Sequence, residues 1–138
     1  MPVMNVAGSA CPCGRLDERR RPVPLANCCG RYVEHFADCP APSAEHLMRS
    51  RYTAFVLGRV EYLLATWHPA HRPAELTLEP ATKWLGLEVR SNRLLADDRA
   101  EVSFVARSAL HGRATRLQEN SHFLREDGRW FYLHGELG

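Results

Sequence analysis

The sequence predicts an α+β fold preceded by a short cysteine-bearing module. Three observations carry this. All five cysteines fall within residues 1–42, together with most of the prolines and no sustained helical or strand period. Between residues 43 and 67, apolar side chains recur at helical spacing. From Trp84 onward the period drops to two and is broken by short turn signals, which predicts a four-stranded antiparallel meander. Helices and antiparallel strands kept apart along the chain distinguish α+β from alternating α/β. A length of 138 residues suits one compact domain with a small appendage. The division expected is a loop-built module over 1–42 and an α+β domain over 43–138.

The module carries Cys11-Pro12-Cys13-Gly14 and then Cys28-Cys29-Gly30. Two tight thiol pairs separated by a polar, Arg- and Pro-rich loop are laid out as a metal clip. Zinc favours four thiolate or imidazole ligands in a tetrahedron, and a closed set of four reads as structural. Gly30 helps the backbone turn at the second pair, and Gly14 lets backbone amides approach the sulfurs. The competing reading is redox or disulfide chemistry, although neighbouring Cys28 and Cys29 are poorly placed to bridge one another. Cys39 reads as a partly buried thiol, with His35 and Cys39 as substitute ligands if Cys28 or Cys29 points away. Arg19-Arg20-Arg21-Pro22 reads as a solvated lobe between the pairs.

The first helix starts at an N-cap, Ser43, with Glu45 in its first turn, where a carboxylate suits the helix dipole. Met48, Tyr52 and Phe55 fall at i, i+4 and i+7, Leu47 and Ala54 widen that face, and Gly58 is the stop. A second helix is expected over 60–67 from Val60, Leu63, Leu64 and Trp67, ended by Pro69. Residues 70–83 are broken by prolines and read as loop. In the first strand Leu85, Leu87 and Val89 alternate with Trp84, Gly86, Glu88 and Arg90. In the second, Val102, Phe104 and Ala106 alternate with Glu101, Ser103, Val105 and Arg107. Residues 114–125 form the third strand, and Trp130 to Leu133 the fourth. Asp97-Asp98, His111-Gly112 and Asp127-Gly128 mark the turns.

Bulk properties exclude several classes. A net charge of +2 is too small to imply a nucleic-acid or membrane surface. No apolar run approaches the roughly 20 residues of a membrane-spanning helix. Residues 1–10 lack the basic and apolar regions of a signal peptide. A cytoplasmic, reducing setting is expected, where clustered cysteines are more often metal ligands than structural disulfides. There is no His-Glu-x-x-His spacing, no Gly-rich phosphate loop and no nucleophile elbow, so no enzyme class is indicated.

Cys-Pro-Cys-Gly followed by Cys-Cys-Gly resembles the SEC-C motif, the zinc module at the C-terminus of the SecA translocation ATPase. The segments Glu45-His46-Leu47-Met48-Arg49-Ser50-Arg51-Tyr52, Thr66-Trp67-His68-Pro69, Trp84-Leu85-Gly86-Leu87 and Phe104-Val105-Ala106-Arg107 extend the likeness. Over nearly its whole length the chain is similar to the YchJ family of bacterial proteins. That resemblance implies a nuclear transport factor 2-like (NTF2-like), cystatin-type domain with two helices and a curved four-stranded sheet. It also implies that Cys11, Cys13, Cys28 and Cys29 hold zinc, and a partner of the chaperone or ribosome kind for the zinc module.

A fold of this type often leaves a pocket at one end of the sheet, and the candidates to line it are Arg49, Arg51, His68, Trp84, Glu119 and Ser121. Arg51 flanks the apolar helix face, and a buried charge there needs a partner. Glu119 shares a strand face with Leu117, Ser121 and Phe123, so an Arg51–Glu119 pair is expected, either as a structural ion pair or as one that orients an anion. His68 reads as a helix C-cap or a general base. Trp67, Trp84 and Trp130 read more readily as core than as a ligand platform.

Three functions follow as expectations. The first is a zinc-binding, non-enzymatic adaptor that docks a protein partner through the SEC-C module. Arg15, Arg19, Arg20, Arg21 and Arg31 would suit an acidic surface, against the counterweight of Asp17, Glu18, Glu34 and Asp38. The alternative is a small-molecule-binding protein or enzyme using the pocket of the α+β domain. The third is a redox sensor at Cys28 or Cys29.

Overall fold

The structure, a computed structural model, describes residues 8–137. The signal-peptide reading falls mostly on residues 1–7, outside the described ones. The described elements follow in order: a 3-10 turn at Leu25–Asn27, helices α1 (Gly30–Val33), α2 (Ala44–Leu57) and α3 (Val60–Ala65), then strands β1 (Lys83–Ala96), β2 (Arg99–Leu110), β3 (Arg113–Glu126) and β4 (Arg129–Leu137). The strands form one antiparallel sheet in the order β1-β2-β3-β4. No helix among the described residues is long and apolar enough to cross a membrane.

The turns follow local chemistry. His111 and Gly112 link β2 to β3 with φ of 50° and 80°, and Asp127 and Gly128 link β3 to β4 with 52° and 78°. Positive φ at both central residues matches the right-handed twist of the flanking strands. Helix α2 begins where Ser43 Oγ accepts the His46 amide at 3.1 Å. It ends at Gly58, which is left-handed at φ 73° and donates its amide to the last carbonyls. A residue with a Cβ would be strained there.

Helix α2 is buried on more than the one face that its apolar spacing shows. Leu47, Met48 and Tyr52 join Val102, Phe104 and Phe123 of the sheet in the core. Toward α3, Ser50 Oγ sits 2.7 Å from Tyr62 Oη and donates to the Leu47 carbonyl. Toward the N-terminal module, Arg49 and Thr53 meet the cysteine loops. The core is continuous: Leu25, Tyr32 and Val33 of the module belong to the same buried cluster as α2 and the sheet.

Two elements depart from the sequence reading. Simple alternation puts Trp84 on the opposite face from Leu87 and Val89. Instead the ladder to β2 skips a residue between Trp84 and Gly86. Gly86, at φ 155°, takes up the irregularity, Leu85 turns outward at 59% exposure, and Trp84 joins Leu87 and Val89 against the core. A bulge reverses the alternation on one side of itself. The second helix stops at Ala65, because the next residues bond to β4: Tyr132 donates to the Thr66 carbonyl and His68 to the Tyr132 carbonyl, both at 2.8 Å. Trp67 and His68 therefore lie beside a strand, and His68 caps no helix.

Candidate metal centre and pocket

The module is a set of short backbone returns that aim four sulfurs at one point. Cys11 donates its amide to Val23, which pins the first cysteine loop to the returning chain. Gly14, at φ 76°, closes a turn by donating to the Cys11 carbonyl. Cys28 ends the 3-10 turn, and Cys29 is the N-cap residue of α1. Gly30 has a different reason from the one the sequence suggests. Its backbone is helical, and a Cβ there would lie 2.7 Å from the Leu25 carbonyl oxygen. The glycine lets α1 pack onto the preceding turn. Gly30→Ala is expected to cost about 2 kcal/mol, in the range of overpacking at a close contact, and to weaken metal retention. Urea unfolding and a zinc-release assay would check it, and unchanged values for both would refute it.

The Cys11, Cys13, Cys28 and Cys29 sulfurs all lie within 4.8 Å of one another. Cys13 Sγ is 3.6 Å from Cys28 Sγ, and Cys28 Sγ is 4.0 Å from Cys29 Sγ. Four sulfurs at about 2.3 Å from a tetrahedral zinc would stand about 3.8 Å apart, so the spacing fits such an ion. It is far too long for a disulfide, and all five cysteines are free thiols. All four are buried, Cys13 completely. Without a cation such a cluster shares its charge unevenly. The Cys13 thiol, then those of Cys28 and Cys29, hold Cys11 toward its thiolate form. Cys29 is pushed up by Cys11, Cys13 and Cys28 and by burial. A dication would let all four ionise together.

Groups around the sulfurs orient them, as second-sphere contacts do at metal sites. Thr53 Oγ1 lies 3.6 Å from Cys11 Sγ, and Arg49 Nη1 donates to the Cys13 carbonyl at 3.0 Å while its Nε pairs with Glu45 at 2.9 Å. Arg49 thus belongs with the cysteine module and not with the pocket. Cys39 stands apart, half-buried, with its amide on the His35 carbonyl. His35 and Cys39 join the lining of a wide surface groove of about 670 Å³ between the module and the ends of α2 and α3. Neither is part of a metal-ligand group among the described residues.

A second, smaller cavity of about 270 Å³ opens between α2 and the inner face of the sheet. Its apolar walls include Tyr52, Phe55, Trp84, Phe104 and Leu117. Arg51, Glu119, Ser121, Trp67 and Tyr132 complete one end. Of the expected pocket residues, Arg51, Trp84, Glu119 and Ser121 meet there, whereas Arg49 and His68 do not. His68 Nε2 instead lies 2.6 Å from Glu126 at the far end of β3. Trp67 and Trp84, expected as core, are pocket walls, while Trp130 is buried in the core cluster.

The expected Arg51–Glu119 ion pair is absent. Arg51 Nη1 donates at 2.7 Å to both the Leu63 carbonyl and Thr66 Oγ1. The guanidinium lies 4.5 Å from the Tyr132 ring centre and 5.3 Å from that of Trp67. Burial lowers it to about 10, which still leaves it charged at neutral pH. Glu119 Oε2 takes hydrogen bonds from the Ser121 and Tyr132 hydroxyls. Its side chain lies across Gly135, where a Cβ would overlap the carboxylate. Tyr132 thus separates the two charges, offering its ring to the cation and its hydroxyl to the anion. Sequence reasoning missed Tyr132 because nothing local shows which way an aromatic in the Trp130–Leu133 run faces. The ladder shift beside it, between His122 and Phe123, settles that.

Comparison with known proteins agrees with this architecture. Residues 43–135 match the family described as YchJ, middle NTF2-like domain. The chain is 53% identical over 137 residues to a UPF0225 protein of Polaromonas sp., covering 99% of each. It is 58% identical over 128 residues to a UPF0225 protein of Methylibium petroleiphilum, covering 92% of this chain and 88% of that one. Among solved structures, a SEC-C motif containing protein from Psychrobacter arcticus superposes with a TM-score of 0.80 at 28% identity, over 98% of this chain and 86% of that one. A SEC-C motif containing protein from Rhodopseudomonas palustris gives 0.75 at 28% identity, over 92% and 97%. The NTF2-like α+β domain thus has both sequence and structural counterparts, and the chain belongs to the YchJ (UPF0225) family.

Proposed function

We propose that this protein binds a small molecule in the cavity between α2 and the sheet, and that zinc at Cys11, Cys13, Cys28 and Cys29 holds the N-terminal module in place. One observation carries the first part. Arg51 is a buried cation with no carboxylate in ion-pair range among the described residues, and it lines an apolar, aromatic-walled cavity. A buried charge whose carboxylate lies outside ion-pair range is costly unless something else requires it, and a concave apolar site with a few convergent polar groups is the usual form of a ligand pocket. The second part rests on donor chemistry. Four buried thiolates would fill a tetrahedral zinc and leave no position for substrate, so the metal supplies rigidity and not catalysis.

The test is a fragment screen followed by NMR, with Trp67 and Trp84 indole signals as reporters. Shifts concentrated at those two tryptophans and Tyr132 are expected. Shifts confined to the 670 Å³ groove beside Cys39 would refute the pocket reading.

An adaptor role through the module is the second reading. It is supported by the same groove, bordered by Arg31, Glu34, Asp38 and Arg59, and by the exposed Arg19, Arg20 and Arg21 on their turn. Asp17 Oδ1 fixes that turn by accepting the Arg19 and Arg21 amides. An acidic partner captured by the wild-type protein should be lost with Cys28→Ser. Unchanged capture would count against this role.

A further inference from the structure

The polar end of the pocket has a definite charge arithmetic. Among the described residues, Arg51 and Glu119 are the only charged ones in its lining. They carry opposite signs and do not touch. Arg51 spends one nitrogen, Nη1, on two neutral acceptors, which leaves guanidinium donors unassigned among the described residues. Glu119 receives both of its hydroxyl donors on Oε2, which leaves Oε1 as a free acceptor among the described residues. A ligand head in this space therefore meets one donor group and one acceptor group, with Tyr132 between them. An anion gains Arg51 but faces Glu119, and a cation faces the reverse. In an apolar cavity such an uncompensated pairing is opposed far more strongly than in water.

We propose that the pocket selects a small, electrically neutral ligand with an aromatic body and a polar head that offers both an acceptor for Arg51 and a donor for Glu119, as a carboxamide does. The carbonyl of such a head would accept from Arg51 and its N–H would donate to Glu119. Aromatic walls at Phe55, Trp84 and Phe104 would take the ring by stacked or edge contacts. A volume of about 270 Å³ sets the size at one ring with a short head, near the lower limit for ligand sites. This inference rests on the pocket reading above and adds the class of ligand.

Three probes of one shape and different charge test it: benzamide, benzoate and benzylammonium, titrated into the zinc-loaded full chain and followed by NMR at Trp67 and Trp84. Benzamide should bind with millimolar affinity and both ions about tenfold more weakly or worse, the loss expected for an uncompensated charge in such a site. In Glu119→Gln the order should change: with Arg51 left unopposed, benzoate should gain by more than its wild-type deficit and overtake benzamide. Benzoate or benzylammonium binding the wild type as tightly as benzamide would overturn the neutral-ligand inference while leaving the pocket reading intact. The expected wild-type order without a gain for benzoate in Glu119→Gln would overturn it too, by removing Glu119 from the selection. No shift at either tryptophan with any probe would overturn the pocket reading and the inference together.

Discussion

Removing the metal with a tight chelator is expected to unlock residues 9–42 while the sheet keeps its hydrogen bonds. Apparent binding free energies of structural zinc are about 10–16 kcal/mol near neutral pH, comparable with or larger than the whole stability of a domain this size. The module has little secondary structure of its own to order it. It holds two isolated bridges, a 3-10 turn and a four-residue helix, too short to persist alone. The α+β domain has its own core, in which Val102, Phe104 and Phe123 pack against Met48 and Tyr52. Loss of Leu25, Tyr32 and Val33 from the far side of α2 would still expose apolar surface at about 2 kcal/mol per side chain. The melting temperature should therefore fall by about 10 °C or more, with the β signature of the circular dichroism retained below it. Hydrogen exchange measured peptide by peptide separates the outcomes: protection lost in the module and kept in β2 and β3 is expected. Uniform loss across the sheet would show that the metal holds the entire fold. Cys13→Ser, at the fully buried ligand, should reproduce the chelated state.

Arg51→Ala should be strongly destabilising for a change at a polar residue of the domain. The side chain ties α2 to the end of α3 through the Leu63 carbonyl and Thr66 Oγ1, and it stacks on Tyr132. Hydrogen bonds to a charged group contribute roughly 1.5–3 kcal/mol each, and a desolvated cation–π contact about 2. Against this, the mutant no longer buries a cation, and that relief returns part of the loss. The net expectation is a destabilisation of about 3 kcal/mol by urea unfolding, together with loss of binding in the pocket. Arg51→Lys should recover only part, because an ammonium cannot reach two acceptors and lie flat on a ring. A change of less than about 0.5 kcal/mol in Arg51→Ala, the range of an ordinary surface substitution, would show that this network contributes nothing net.

The elements differ in how legible they were, for reasons that can be traced to residues. Helix α2 could be bounded from sequence because its signals are local: a serine that caps the amide of the helix's third residue, and a glycine that accepts a left-handed φ. The hairpins were equally local, set by His-Gly and Asp-Gly pairs. The face of Trp84 was not, since the bulge at Gly86 is defined only by the partner strand. Nor was the end of α3, where the Thr66 carbonyl exchanges a helical position for a bond to Tyr132, 66 residues away. Apolar spacing on α2 showed one face to bury, yet three sides are covered, because Ser50, Arg51 and Thr53 satisfy their polar atoms within the protein.

By itself the sequence determined the class of fold, the order of its elements, the family and the four cysteines that belong together, because caps, turns, periodicity and paired thiols are written in neighbouring residues. Tertiary structure alone decided that those cysteines pack against α2 in a shared core, that Trp67, Trp84 and Tyr132 wall a cavity, and that Arg51 and Glu119 share it without pairing. Those facts depend on strand register and on which side chain comes between two charges. Such distances are fixed only once residues far apart in the chain have been folded against one another.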